Sequence, residues 1–148
     1  MFTKAERSGF KYWFAHWCAF NMTALNLKCW KPRFLLHDIE KPWLKLILRD
    51  YKKVQKWHRY HNAHHLEYLV KNVITKNKIK ADWLGMVIDW ECSHFTKIDS
   101  PLLAHEVMYY EMKKMDEKYP DLKFNEQTLS QILYENMTKV FDKLKMKY

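Results

Sequence analysis

Gly9 and Gly85 are the only glycines in a chain of 148 residues. Sheet-rich folds reverse direction through tight turns, and such turns usually need glycine or Asn-Gly where φ is positive. With so few glycines, long helices and few connections are the expected architecture. Hydrophobic residues make up 48% and aromatics 16%, ample material for a core, and the length suits one ordinary domain. No repeat, low-complexity tract or Pro/Gly-rich linker divides the chain. The expectation is an all-α, single-domain bundle of about five to six helices over residues 1–148.

Apolar spacing predicts a first helix from about Lys4 to about Leu27, with Phe10, Trp13, Phe14, Trp17 and Phe20 as its inward stripe. Pro32 starts a short helix through Phe34-Leu35-Leu36 to His37-Asp38, and Pro42 is expected to break it. One helix should follow Asp50 and another should cover about Ala81 to Phe95. Ser100-Pro101 reads as the opening of a helix carrying Leu103, Val107, Tyr110 and Met115 and stopping near Tyr119-Pro120. Beyond Asn125, read as an N-cap, a last stripe comprises Leu129, Ile132, Leu133, Met137, Val140, Phe141 and Leu144. No strand is expected.

Cys18, Cys29 and Cys92 are odd in number and form no Cys-x-x-Cys pair, which argues against a disulfide framework or a thiolate zinc site. Reduced thiols in a cytoplasmic protein fit better. No segment has the uninterrupted apolar run of a signal peptide or membrane span, so no membrane partner is expected. The formal net charge of +9 favours anionic partners such as nucleotides, nucleic acids or acidic lipids. The lysines are scattered, however, and no nucleic-acid-binding motif stands out.

The helix after Asp50 carries the chemistry. Its inward stripe reads Val54, Trp57, His58, His61, His65, Tyr68 and Leu69, with His64 beside His61. Histidines thus stand where a core helix would place Leu or Ile. One buried imidazole needs a hydrogen-bond partner, and several side by side call for something that uses their nitrogens, such as a metal. His37-Asp38 ends an apolar run, and Asp89 interrupts Met86-Val87-Ile88-Asp89-Trp90. An unpaired buried carboxylate is costly, so Asp89 needs a cation or several donors. His16 sits between Trp13 and Phe20 in an apolar neighbourhood. Glu91 either orients a ligand histidine or lies exposed on its helix.

The set His16, then His37-Asp38, then Asp89 resembles the HD-domain superfamily of helical metal-dependent phosphohydrolases. That pattern has an isolated His, an adjacent His-Asp pair and a distant Asp. The resemblance implies His16, His37, Asp38 and Asp89 as metal ligands, with His61, His64 and His65 in the interval where some members hold a second ion. Three stretches look closer still to a family of bacterial and phage proteins known only as a domain of unknown function. They are His37-Asp-Ile-Glu-Lys41, the run from His58 to His65, and Asp89-Trp90. That family shows His-Asp-x-x-Lys, Asn-x-His-His and Asp-Trp motifs.

The implied activity is hydrolysis of a nucleotide or another small phosphoester by metal-activated water. The cofactor would be one or two divalent ions (Mn, Fe, Ni, Co, Zn or Mg). His16, His37, Asp38, His61, His65 and Asp89 are the candidate ligands, and Asp38, His61 and His64 the candidate catalytic groups. Arg33, Lys41 and Arg59 are candidates to steady the phosphate. The alternative is a non-catalytic helical module that binds nucleic acid or a protein partner and holds a structural metal or a buried His/Asp network. Oxidation chemistry at an iron pair ranks below both, because only Glu91-Cys-Ser-His94 has the Glu-x-x-His spacing.

Overall fold

The computed structural model describes residues 1–99 and 102–148. Among them the chain forms α1 (Phe10–Asn26), α2 (Glu40–Leu48), α3 (Tyr51–His61), α4 (Leu66–Lys76), α5 (Trp83–Thr96), α6 (Ala104–Lys118) and α7 (Leu129–Leu144). The all-helical expectation holds, with more helices than expected.

The first helix starts at Phe10, not near Lys4. Glu6–Ser8 is a separate 3-10 turn, and Gly9 takes an extended conformation between the two. The inward face of α1 is Tyr12, His16, Phe20 and Ala24, whereas Phe10 and Phe14 are exposed. α1 is apolar around most of its circumference, so its sequence has little contrast to fix the inward phase. Packing against α5 fixes it.

Pro42 does not break a helix. It stands in the first turn of α2, where a missing N–H costs nothing. Asp50 caps α3, its Oδ1 accepting from Lys52 N at 2.8 Å. The long helix expected after Asp50 is two helices, because Asn62 turns extended and Asn62–His65 form a connection. The Asn62 amide stabilises that break by donating to Glu40 Oε1 at 2.8 Å and to His58 O at 3.1 Å.

Asp82 caps α5, its Oδ1 accepting from Gly85 N at 3.1 Å. The proposed start at Ser100-Pro101 lies outside the described residues. The helix that follows runs to Lys118 and buries Ala104, Met108 and Met115, while Val107 is half-buried and Tyr110 exposed. One short hairpin departs from the strand-free expectation: β1 (Lys123–Phe124) pairs antiparallel with β2 (Gln127–Thr128). Asn125 and Glu126 make its two-residue turn with φ of 47° and 68°, the positive values such turns require. The N-cap of α7 is therefore Thr128, not Asn125. It exchanges hydrogen bonds with Gln131 in a capping box.

Two apolar clusters hold the bundle. Leu69, Met86, Met108, Leu133, Met137 and Phe141 belong to a large one joining α4 to α7. Phe20, Ala24, Phe34, Ile88 and Cys92 form a smaller one between α1 and α5. α5 serves both, with Met86 and Val87 on one side and Ile88 and Cys92 on the other. A helix buried on two sides is apolar nearly all round, so the polar Asp89 within it is conspicuous.

Candidate metal centre

Three side chains at four-residue spacing on α1 position the His37-Asp38 segment. Trp17 Nε1 donates to Leu35 O at 3.0 Å, Trp13 Nε1 to Asp38 O at 2.8 Å and Asn21 Nδ2 to Phe34 O at 3.3 Å. The His37 ring stacks on Phe20, with centroids 3.6 Å apart. Asp38 itself has φ of 57°, a left-handed conformation that is uncommon outside glycine and is often found at functional sites.

The carboxylate of Asp38 stands between two groups of imidazoles. On its Oδ2 side are His37 Nε2 at 3.6 Å and His16 Nε2 at 3.8 Å. Asp89 completes that group, its Oδ1 lying 2.9 Å from His16 Nε2 and 3.6 Å from His37 Nε2. On the Oδ1 side are His58 Nε2 at 3.1 Å and His64 Nε2 at 3.4 Å, and His65 Nε2 lies 2.7 Å from His58 Nε2. Within His16, His37 and Asp38, and within Asp38, His58, His64 and His65, the potential ligand atoms all lie within 4.8 Å of one another.

Protonation suits a cation. Burial pushes the His37 imidazole down to about 4, although Asp38 and Asp89 pull the other way. Burial, with His64 and His58 nearby, holds His65 well below its ordinary value. Burial alone would raise the Asp38 and Asp89 carboxyls. At Asp38, His37, Lys41 and His58 outweigh it, and at Asp89 His16 and His37 do, so both stay well below the usual range. Burial lowers His64 too, but its contact with Asp38 wins and raises it. Neutral His37 and His65 beside ionised Asp38 and Asp89 are in the state that metal ligation requires. Moreover, Asp38 Oδ1 and His64 Nε2 are buried without a well-formed hydrogen bond, although buried polar atoms normally have partners. Nitrogen and oxygen lone pairs converging on one another, with orphaned atoms among them, fit a divalent cation.

The structure brings His16, His37, Asp38, His64, His65 and Asp89 together. It places His61 outside. The ring of His61 stacks on exposed Trp57, and its Nδ1 bonds to Trp57 O at 2.7 Å. The expected alignment of His58, His61 and His65 assumed one continuous helix, and the break at Asn62 removes that premise. His58, completely buried, enters the cluster instead. Its Nδ1 bonds to Glu40, a carboxylate that fixes the ring so that Nε2 faces Asp38. Glu40 lies within the His37–Lys41 motif, but its partner is too distant in sequence for spacing to pair them.

Arg33 is committed elsewhere, forming a bidentate pair with Asp82 at 2.5 and 3.0 Å. Lys41 Nζ reaches Asp38 Oδ2 at 2.5 Å. Arg59 pairs with Glu67 and lines a cavity that His16, His65 and Asp89 also line. Arg7 and Lys97 line the same cavity, although nothing in the sequence marked them. Glu91 accepts from Ala104 N at 2.9 Å, joining α5 to the start of α6, so it does not orient a ligand histidine. His94 bonds to the carbonyl of Glu91. Cys92 Sγ lies 3.8 Å from His16 Nδ1, burial and Asp89 push its thiol well up, and His16, Asp89 and Cys92 form a third group whose potential ligand atoms lie within 4.8 Å of one another.

Fold and site together define a helical protein with a buried His/Asp cluster able to hold metal, compatible with an HD-like fold. Searches against protein families, curated proteins and solved structures find no match for the chain.

Proposed function

We propose that the chain is a metal-dependent phosphohydrolase of HD-like type, acting on a nucleotide or another small phosphoester. One observation carries this reading: the two oxygens of Asp38 face separate imidazole groups, so the chain offers two adjoining sets of ligand atoms that could each hold a cation. His16, His37, Asp38 and Asp89 would hold one cation, and Asp38, His58, His64 and His65 the other. Bound there, divalent metal supplies a Lewis acid for a phosphoryl oxygen and acidifies water.

The remaining roles belong to the chain. Glu40 holds the His58 ring in orientation through Nδ1. Lys41 sets a positive charge against Asp38 Oδ2, the oxygen that His16 and His37 also face, and so keeps the carboxylate ionised. His64 turns Nε2 toward Asp38 Oδ1, and this contact raises its basicity, which suits the nitrogen to a cation or, where no ion takes it, to a proton. Lys97 supplies a cation on the cavity wall for a phosphate, beside Arg7 and Arg59, which pair with Asp99 and Glu67 on the same wall.

The test combines elemental analysis with turnover. Protein purified without chelator, or reconstituted with Mn, Fe, Ni, Co or Zn, should carry about two ions per chain and hydrolyse phosphomonoesters. Asp38→Asn should lose both while remaining folded. Absence of metal after reconstitution would sink the proposal. Retained metal without turnover on any phosphoester would leave the site as a structural centre in a binding module.

A further inference from the structure

A surface helix normally turns its apolar stripe toward the core. α2 does the reverse. Six of its nine residues are apolar and none is buried. Its inner side shows half-buried Lys41, Leu44 and Leu48. Its outer stripe, at helical spacing, is Ile39, Trp43, Leu46 and Ile47, exposed by 44%, 67%, 71% and 75%. On neighbouring α1, Phe10 and Phe14 are also exposed, with their rings stacked at 6.5 Å.

A cavity of about 690 Å³ joins this face to the His/Asp cluster. Phe10 and Leu46 line it together with Trp13, Pro42, His16 and Asp38. Its other charged walls are cationic: Lys45 and Arg49 at the mouth, with Arg7, which pairs with Asp99, and Lys41 further in. Its one acid, Asp38, is already engaged by Lys41. The occupant of this face should therefore be apolar within and anionic at its boundary. A second copy would bring its own Lys45 and Arg49 to the boundary of the same patch and add like charge there, with no acid among the described residues of this face to offset it. An acidic peptide would carry charge along its length, whereas Trp43, Leu46 and Ile47 make the exposed face apolar and the cations stand only at its boundary. Protruding aromatic and aliphatic residues flanked by Lys and Arg are the pattern of a helix lying in a membrane interface.

We propose that α2 and the start of α1 dock on an anionic phospholipid surface. Trp43, Leu46, Ile47 and Phe10 enter the interface, and Lys45 and Arg49 meet the headgroups. Among the described residues no helix is long and apolar enough to cross a membrane, so attachment is to the surface. Docking in this way places the cavity mouth against the headgroup layer. The proposal requires neither bound metal nor hydrolysis.

Co-sedimentation tests it, using vesicles of phosphatidylcholine alone and of phosphatidylcholine with phosphatidylglycerol in equal parts. The full chain should partition onto the anionic vesicles and not the neutral ones. Two variants, Trp43→Ser/Leu46→Ser/Ile47→Ser and Lys45→Glu/Arg49→Glu, should each reduce partitioning by about tenfold or more. Both change exposed residues, and circular dichroism verifies their fold. No partitioning by the parent overturns the proposal. So does undiminished partitioning by the triple-serine variant, which would mark mere adhesion of a basic protein. A parent dimer in light scattering that this variant abolishes would assign the face to a second copy. Binding to polyglutamate but not to vesicles, lost in the same variant, would assign it to an acidic peptide.

Discussion

Lys41 stands on the inner side of α2 with its ammonium against the buried Asp38 carboxylate. Burial would lower the lysine, but Asp38 raises it, so the pair stays charged. Removing one member of such a pair is costly, but His58 and His64 remain at Asp38. Lys41→Met should therefore destabilise the metal-free protein by about 1–3 kcal/mol in urea unfolding. With metal bound the loss should shrink, because a cation then neutralises Asp38 in place of the lysine. Equal losses with and without metal would mean that Asp38 is not shared with an ion. Much of the cluster is legible in the sequence, since His16, His37, Asp38 and Asp89 are polar residues at positions where periodicity demands apolar ones. Glu40 and His58 are less legible, because their pairing spans two helices that only the fold brings together. Trp13 and Trp17 read as core residues because the indole is mostly hydrocarbon, yet their N–H groups hold the backbone beside His37 and Asp38.

Among the elements, α5 ties packing to the site most tightly. Gly85 lies in its first turn, and a Cβ there would meet Asp82 Oδ2 at 2.6 Å, Asp82 Cγ at 2.9 Å and His64 Cβ at 3.3 Å. Helix propensity alone predicts that Gly→Ala gains about 1 kcal/mol. Gly85→Ala should instead lose stability, since the Asp82 carboxylate, which both caps the helix and pairs with Arg33, must shift from its position. It should also weaken metal binding through His64. A variant more stable than the parent would refute this account of Gly85. Asp82 has its own signature in acid. Burial would raise its carboxyl, but Arg33 and the Gly85 N–H outweigh it and hold it below the usual carboxylate range. A carboxyl lowered on folding stabilises the protein above its unfolded value, and that contribution is lost as pH falls through the folded value. Asp82→Asn, which keeps a capping side chain, should flatten the parent's loss of stability below about pH 4. Identical acid profiles would mean that the Arg33 pair contributes nothing. Element boundaries are legible where capping chemistry is local, as at Asp50. They are obscured where a distant partner stabilises the break, as Glu40 does at Asn62. The hairpin is missed because its turn uses Asn-Glu rather than glycine.

Across the whole molecule the cluster is one-sided. Its ligands come from α1, the 37–38 segment, α3, the 62–65 connection and α5, whereas α6 and α7 contribute none. The larger apolar cluster lies mainly on the α6–α7 side, with α5 running between the two. An ion would thus cross-link the half with the smaller apolar cluster, and the other half already rests on Leu133, Met137 and Phe141. A ligand that binds only the folded state stabilises it in proportion to the logarithm of its concentration over Kd. Local openings that break the site are suppressed by the same amount, and openings that leave it intact are not. Hydrogen exchange followed with and without metal should therefore slow in α1, α3, the two ligand-bearing connections and α5. Amides of α6 and α7 that exchange by local opening should be unchanged, and only those needing global unfolding should slow. Uniform protection across all helices would mean that the bundle opens as one unit and that the division into two halves has no energetic meaning. Protection confined to α6 and α7 would place the ion somewhere other than the His/Asp cluster.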